Sequence, residues 1–251
     1  MDDTSVLYES DGRIATLTLN RPENRNSMTP DVMARFRACV ARARAERELR
    51  CLVITGRGSS FCAGADFRAP SGPGAGAASG ARAREGAPAA GEPARDAASP
   101  VLPHERSFAS YEAFLDVTEV EVPTIAAMNG HAVGGGLGLA LVCDLRVANR
   151  DARYGANFAR LGFHSGMAVS YLLPRLVGVP HAVDLLLTGR LLSGSEAAAM
   201  GLVHEAVAAD EVAAAARRRA EAIAEAAPLA VRGMKRSLYR GLGWDPREAA
   251  R

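Results

Sequence analysis

Apolar and polar positions alternate along residues 13–20, RIATLTLN, with the two-residue period of a half-buried strand. The period then changes. Thr29, Pro30 and Asp31 form a helix start: a capping hydroxyl, proline in the first helical position and an acid in the first turn. Val32, Phe36 and Val40 continue at helical spacing and define one face. Residues 51–55 are a short apolar run that reads as a buried strand. A helical pattern returns over 107–117, with Phe108, Tyr111, Phe114 and Leu115 as its apolar face. Strands are expected at 124–128 and 144–148, and helices at 171–177, 181–188 and 195–200. Ser193 and Glu196 are spaced as a capping box for the last of these. A short strand at 203–207 precedes a long helix over about 210–226. Pro228 is expected to break that helix, and a final one spans about 229–240.

Residues 69–100 belong to no period. They contain no Leu, Ile, Val, Met, Phe, Tyr or Trp, and consist of Ala, Gly, Pro, Ser and Arg with a few acids. Such a stretch cannot bury enough apolar area to order itself, so a disordered insertion is expected. It would serve either as a lid over a site or as a tolerated surface insertion, and composition favours the second.

The 251 residues suffice for one domain with a sizeable core; the chain is 48% hydrophobic but only 5% aromatic, so that core is built mainly from Ala, Val and Leu. A formal net charge of +2 argues against a nucleic-acid partner, and against an RNA-binding side role. The arginine runs at Arg42, Arg44, Arg47 and Arg50, and at Arg217, Arg218 and Arg219, are interleaved at helical spacing and read as solvated faces. Lys235 is the only lysine. The four cysteines, Cys39, Cys51, Cys62 and Cys143, lack paired or metal-like spacing and read as small core residues; a nucleophilic Cys62 is the minor alternative. The acidic N-terminal stretch lacks an apolar signal core, and no apolar run is long enough to span a membrane, so a cytoplasmic protein is expected.

Chemistry concentrates in two stretches. Residues 122–148 read VPTIAAMNGHAVGGGLGLALVCDLRVA, a strand, a turn at Gly134, Gly135 and Gly136, and an apolar helix. Glycines expose backbone amides, and the first amides of a helix lack internal partners and sit at the positive end of its dipole. The same glycines could serve only to pack a helix against a sheet. Residues 52–66, LVITGRGSSFCAGAD, supply a second loop of small residues. Two amides on separate loops could hold one carbonyl oxygen as it gains negative charge.

FCAGAD followed by NGHAVGGGLGLALVCDLRVA resembles the crotonase (enoyl-CoA hydratase/isomerase) superfamily, as do TLTLNRPENRNSM and LLTGRLLSGSEAAAMGLV, all in family order over about residues 6–239. The resemblance implies an α/β fold: a single domain over 1–251, a stack of ββα units with a C-terminal helical region from about 210. It implies an acyl-CoA thioester substrate, no cofactor beyond the CoA of that substrate, no metal, and a homotrimer or dimer of trimers. It makes the amides of Ala65 and Gly135 the oxyanion hole. It sets Arg25, Ala63, Asp66, Phe67, Gly134, Gly138, Asn157 and Phe158 along the substrate, and Tyr111, Glu112 and Asp116 on a helix lining the acyl pocket. Lys235 is either a contact to CoA phosphates or a solvated residue. Family members commonly continue through a further pair of helices after LAVRGMKRSLYRGL.

Hydratases of this family use two glutamates, and those positions fall on Gly138 and Phe158, neither of which can transfer a proton. His164 is the candidate replacement acid or base. His131 is expected to make a structural hydrogen bond, and Asp66 to bond nearby amides. Decarboxylase- or isomerase-type chemistry is therefore expected over water addition, and installing glutamate at both positions should raise hydration. A non-catalytic acyl-CoA-binding or scaffold protein of the same fold is the alternative.

Overall fold

The computed structural model describes residues 4–66 and 111–242. Strands β1 (Val6–Ser10) and β2 (Ile14–Leu19) form an antiparallel hairpin. Strands β3 (Cys51–Gly56), β5 (Thr124–Met128), β7 (Leu145–Asn149) and β10 (Glu205–Val207) add in parallel, giving a six-stranded sheet of order β1-β2-β3-β5-β7-β10. A second sheet has the order β4-β6-β8-β9, from β4 (Ser60–Cys62), β6 (His131–Val133), β8 (Arg153–Gly155) and β9 (Leu192–Ser193).

Side-chain alternation sorts the large sheet between two cores. Leu17 and Leu19 of β2, Leu52 and Ile54 of β3, and Ala126 and Met128 of β5 join a core with helix α1 (Pro30–Ala45) and helix α2 (Gly135–Val142). Cys51 and Val53, Ile125 and Ala127, and Val147 face the other way. There they meet Val212, Ala215, Ala216, Ala220 and Ala224 of helix α5 (Val212–Glu225). Both faces of the parallel strands are covered, as parallel sheets require.

The local signals act where the sequence carries them. Thr29 caps α1 by accepting from Val32 N, and Pro30 is its first residue. Ser193 and Glu196 form the capping box of helix α4 (Gly194–Ala199). Residues 111–115 are helical and lead into a 3-10 turn at Asp116–Glu119. The expected helices at 171–177 and 181–188 are one element, α3 (Val169–Thr188), kinked at Gly178 with φ 75°. Pro228 does not merely end the preceding helix. It is the first residue of helix α6 (Pro228–Gly241), where its missing N–H costs nothing. The insertion expected at 69–100 lies outside the described residues.

Candidate functional site

Strand β6 ends in a turn at Gly134, whose φ of 58° and ψ of −121° favour glycine. Its N–H donates to Gly155 O at 2.9 Å, and the first ladder bond of α2 returns from Gly138 N to Gly134 O at 3.1 Å. The amide of Gly135 therefore stands at the positive end of α2. Across from it, Met28 N donates to Gly64 O at 2.8 Å and Asp66 N donates to Met28 O at 3.3 Å. This is a parallel bridge between Met28 and Ala65, which turns the Ala65 amide away from Met28. Among the described residues, neither Ala65 N nor Gly135 N has a hydrogen-bond acceptor.

The two loops touch. A methyl group on Gly64, where φ is 82°, would lie 3.1 Å from Gly135 N, and one on Gly136 would lie 2.0 Å from Cys62 O. Small residues are needed here because one backbone rests on the other.

The walls of the turn are apolar. A Cβ on Gly135 would meet Tyr111 Cε1 at 2.9 Å and Met28 Sδ at 3.0 Å. One on Gly134 would meet Asn157 Oδ1 at 3.5 Å and Phe158 Cζ at 3.8 Å. Gly138 faces Met167 and Val169. Met28, Tyr111, Phe158 and Met167 are all buried. Burial raises the Tyr111 phenol above its ordinary value. It also pushes the Cys62 thiol up to about 12, although Gly64 N donates to its sulfur at 3.4 Å. A thiol held protonated in this way fills space and is a poor nucleophile.

Of the expected site residues, Gly134, Gly135, Asn157 and Phe158 meet at the turn, and Ala65 adjoins it through Gly64, which the sequence did not single out. Arg25 is exposed with φ 52°, and contributes its carbonyl, which accepts from Ala63 N at 3.0 Å. Asp66 accepts a 3.3 Å bond from Ser27 Oγ. His164 is exposed on the loop ahead of α3. Phe67 lies outside the described residues. His131 is structural, its Nδ1 accepting from Arg153 N at 2.9 Å.

Other expectations change. Glu112 and Asp116 bind Arg37 on the surface, at 3.1 Å and 2.9 Å, and leave Tyr111 as the member of that helix that reaches the glycines. Lys235 is paired rather than freely solvated: its Nζ donates to Asp144 Oδ2 at 2.7 Å and to Val122 O at 2.9 Å. A glutamate at Gly138 has no room, because its Cβ alone would lie 2.3 Å from Met167 Cβ. Met28 and Met167 were not singled out by the sequence; their proximity to glycines far along the chain has no local signal.

Among the described residues no group of three or more His, Cys, Asp or Glu could hold a metal, and no helix is long and apolar enough to cross a membrane.

The enoyl-CoA hydratase/isomerase family model matches residues 9–84 and 82–251. The chain is 36% identical over 237 residues to (E)-benzylidenesuccinyl-CoA hydratase of Thauera aromatica, covering 94% of this chain and 82% of that one. It superimposes on the enoyl-CoA hydratase of Bacillus anthracis with a TM-score of 0.81 at 28% identity, covering 98% and 86% of the two chains. A monofunctional enoyl CoA isomerase from M. smegmatis gives 0.74 at 29% identity, with 98% and 97% covered.

Proposed function

The chain belongs to the enoyl-CoA hydratase/isomerase family, and from that premise we propose that it acts on an acyl-CoA thioester through an enolate held by the amides of Ala65 and Gly135. The observation that carries this reading is the pair of amides, on two touching loops, that have no acceptor among the described residues. A thioester carbonyl oxygen gains negative charge as an enolate forms. Two preoriented donors stabilise that charge without reorganising. The dipole of α2 adds to them, and the walls of Met28, Tyr111, Phe158 and Met167 keep the local dielectric low.

Water addition needs a base for the water and an acid for the α-carbon. Gly138 and Phe158 offer neither. Loss of CO2 from a malonyl-type thioester needs no base to begin. The C–C bond breaks, its electron pair enters the enolate, and a proton from solvent completes the product. Double-bond isomerisation needs a proton carrier, for which His164 is the candidate. The Thauera relative is named a hydratase and the M. smegmatis protein an isomerase. The apolar wall favours decarboxylase- or isomerase-type chemistry for this chain. The same wall also favours the second reading, a thioester-binding protein without turnover. Val179, Val183 and Leu187 are exposed at helical spacing on α3 and support assembly into a homotrimer or dimer of trimers.

The test is product analysis on a panel of malonyl-, enoyl- and β-ketoacyl-CoA thioesters. Release of CO2 or migration of a double bond is expected, without 3-hydroxyacyl product. Hydration of crotonyl-CoA with kcat on the order of 10 s⁻¹, ordinary for an enzyme, overturns the reading of Gly138 and Phe158. Binding throughout the panel without turnover selects the second reading.

A further inference from the structure

Gly135, Gly138 and Val142 lie three and four residues apart and share one face of α2. That face begins at the open amide and ends, with Leu141 and Val142, in a separate cleft of about 430 Å³ that Val120, Leu172 and Tyr239 also line, beside the charged Asp144, Lys235 and Arg236. At 1.5 Å per residue the two ends are ~10 Å apart. Between them Gly138 is covered: its added Cβ would lie 2.3 Å from Met167 Cβ, 2.9 Å from Met167 Cγ and 3.4 Å from Val169 Cγ2.

Met167 is held in this place by its backbone. Met167 and Ala168 have φ of 57° and 52°, two consecutive left-handed residues without glycine. Such conformations persist only where the surroundings enforce them. Here Val169 N donates to Gly166 O at 3.1 Å, and Tyr171 N and Leu172 N both donate to Ala168 O at 2.9 Å. On the other side Gly166 is pressed against Tyr111, whose Cε2 would lie 2.6 Å from an added Cβ. The loop is thus clamped between Tyr111 and α2, and Met167 is 3% exposed.

We propose that Met167 is a specificity-determining residue. It closes the α2 face between the oxyanion turn and the cleft at Leu141 and Val142, so that the site takes short acyl thioesters and rejects long ones. This rests on the thioester reading above. A short acyl group ends against the Met167 side chain. A longer one has nowhere to bury its additional methylenes unless that side chain is removed, and then the cleft lies ahead of it.

The experiment is calorimetric binding of butanoyl-CoA and decanoyl-CoA to the full chain and its variants. The wild type should bind decanoyl-CoA roughly tenfold or more weakly than butanoyl-CoA, because seating the additional methylenes forces Met167 and its clamped loop out of close packing. Met167→Gly relieves the left-handed strain while opening the passage, and should bring decanoyl-CoA to within about threefold of butanoyl-CoA or tighter, because the steric cost is removed and the added methylenes can be buried. Met167→Leu, of similar volume, should keep the discrimination. Met167→Ala replaces the glycine variant if circular dichroism shows that the latter does not fold. Equal affinities in the wild type overturn the proposal, as does unchanged discrimination in the folded small-residue variant. Failure of both thioesters to bind the wild type overturns the thioester reading and this proposal with it, a result distinct from binding without discrimination.

Discussion

At its N-terminal end α2 presents the Gly135 amide, with no acceptor among the described residues, to walls of Met28, Tyr111, Phe158 and Met167. Just past its C-terminal end, Arg146 donates to Cys143 O at 2.6 Å and to Leu202 O at 2.8 Å. Beside it Asp144 Oδ2 accepts from Thr124 N at 2.7 Å, Thr124 Oγ1 at 2.9 Å and Lys235 Nζ at 2.7 Å. One helix thus has its negative end answered by a cation of the chain and its positive end left open. Asp144, Arg146 and Lys235 tie elements together at the charged end, and the thioester reading proposed above puts the chemistry at the open end. A search guided only by clustered ionisable residues would settle on Asp144 and Lys235.

The largest expected effect comes from attacking the charged end. Asp144→Ala leaves Lys235 unpaired against the sheet. The two side chains are only 16% and 13% exposed, so the loss should be about 3 kcal/mol, the lower end for a broken buried pair. Urea unfolding reads it directly. A loss below about 1 kcal/mol would put this pair among ordinary surface ion pairs and erase the contrast.

The open end is tested by Gly135→Pro. It removes one donor and brings ring atoms against Tyr111 and Met28, while proline is compatible with the first position of a helix. Turnover on whichever thioester the panel identifies should fall by about 10²–10³-fold, the usual consequence of losing one oxyanion donor. Far-ultraviolet circular dichroism separates this from unfolding. A folded Gly135→Pro protein with full activity would show that the vacancy has no chemical use.

The smallest effect calibrates the comparison with an exposed pair. Asp11 accepts from Ile14 N at 2.8 Å and Arg13 N at 3.0 Å, and its other oxygen from Arg217 at 2.8 Å. The Ile14 amide first, then Arg217, lowers its carboxyl from 3.8 to about 2. A depressed carboxylate stabilises the fold above its unfolded value and loses that contribution as pH falls toward about 2. Because the group is exposed, Asp11→Asn should cost under about 1 kcal/mol at neutral pH. The gap from wild type in urea titrations should close between pH 4 and pH 2, the interval set by the folded and unfolded values. A gap that widens on acidification contradicts the sign of the shift.

What could be read from the sequence was local. Thr29 and Pro30 announce α1, Ser193 and Glu196 announce α4, and the alternation in 13–20 announces β2, because each signal lies within a few residues of the group it satisfies. The glycines of the turn were equally visible, since exposed amides are a property of the backbone itself. The partners were not. Lys235 meets Asp144 across 91 positions, and Gly138 meets Met167 across β7, β8 and a 3-10 turn. Nothing in their neighbours' composition records those approaches. The left-handed pair Met167 and Ala168 was invisible for a further reason: neither residue type favours that conformation, and only the assembled loop imposes it.

The alanine-rich cover of the large sheet has a consequence in time. Among the described residues, Cys51, Val53, Ile125, Ala127 and Val147 are shielded on that face by α5, which is not complete until Glu225. At translation rates of 5–20 residues per second, roughly 4–16 s pass between synthesis of Val147 and of that last shielding residue. Throughout that interval the nascent chain carries a half-built parallel sheet with one bare apolar face. The ribosome-bound intermediate, rather than the finished protein, is then the species most dependent on chaperones.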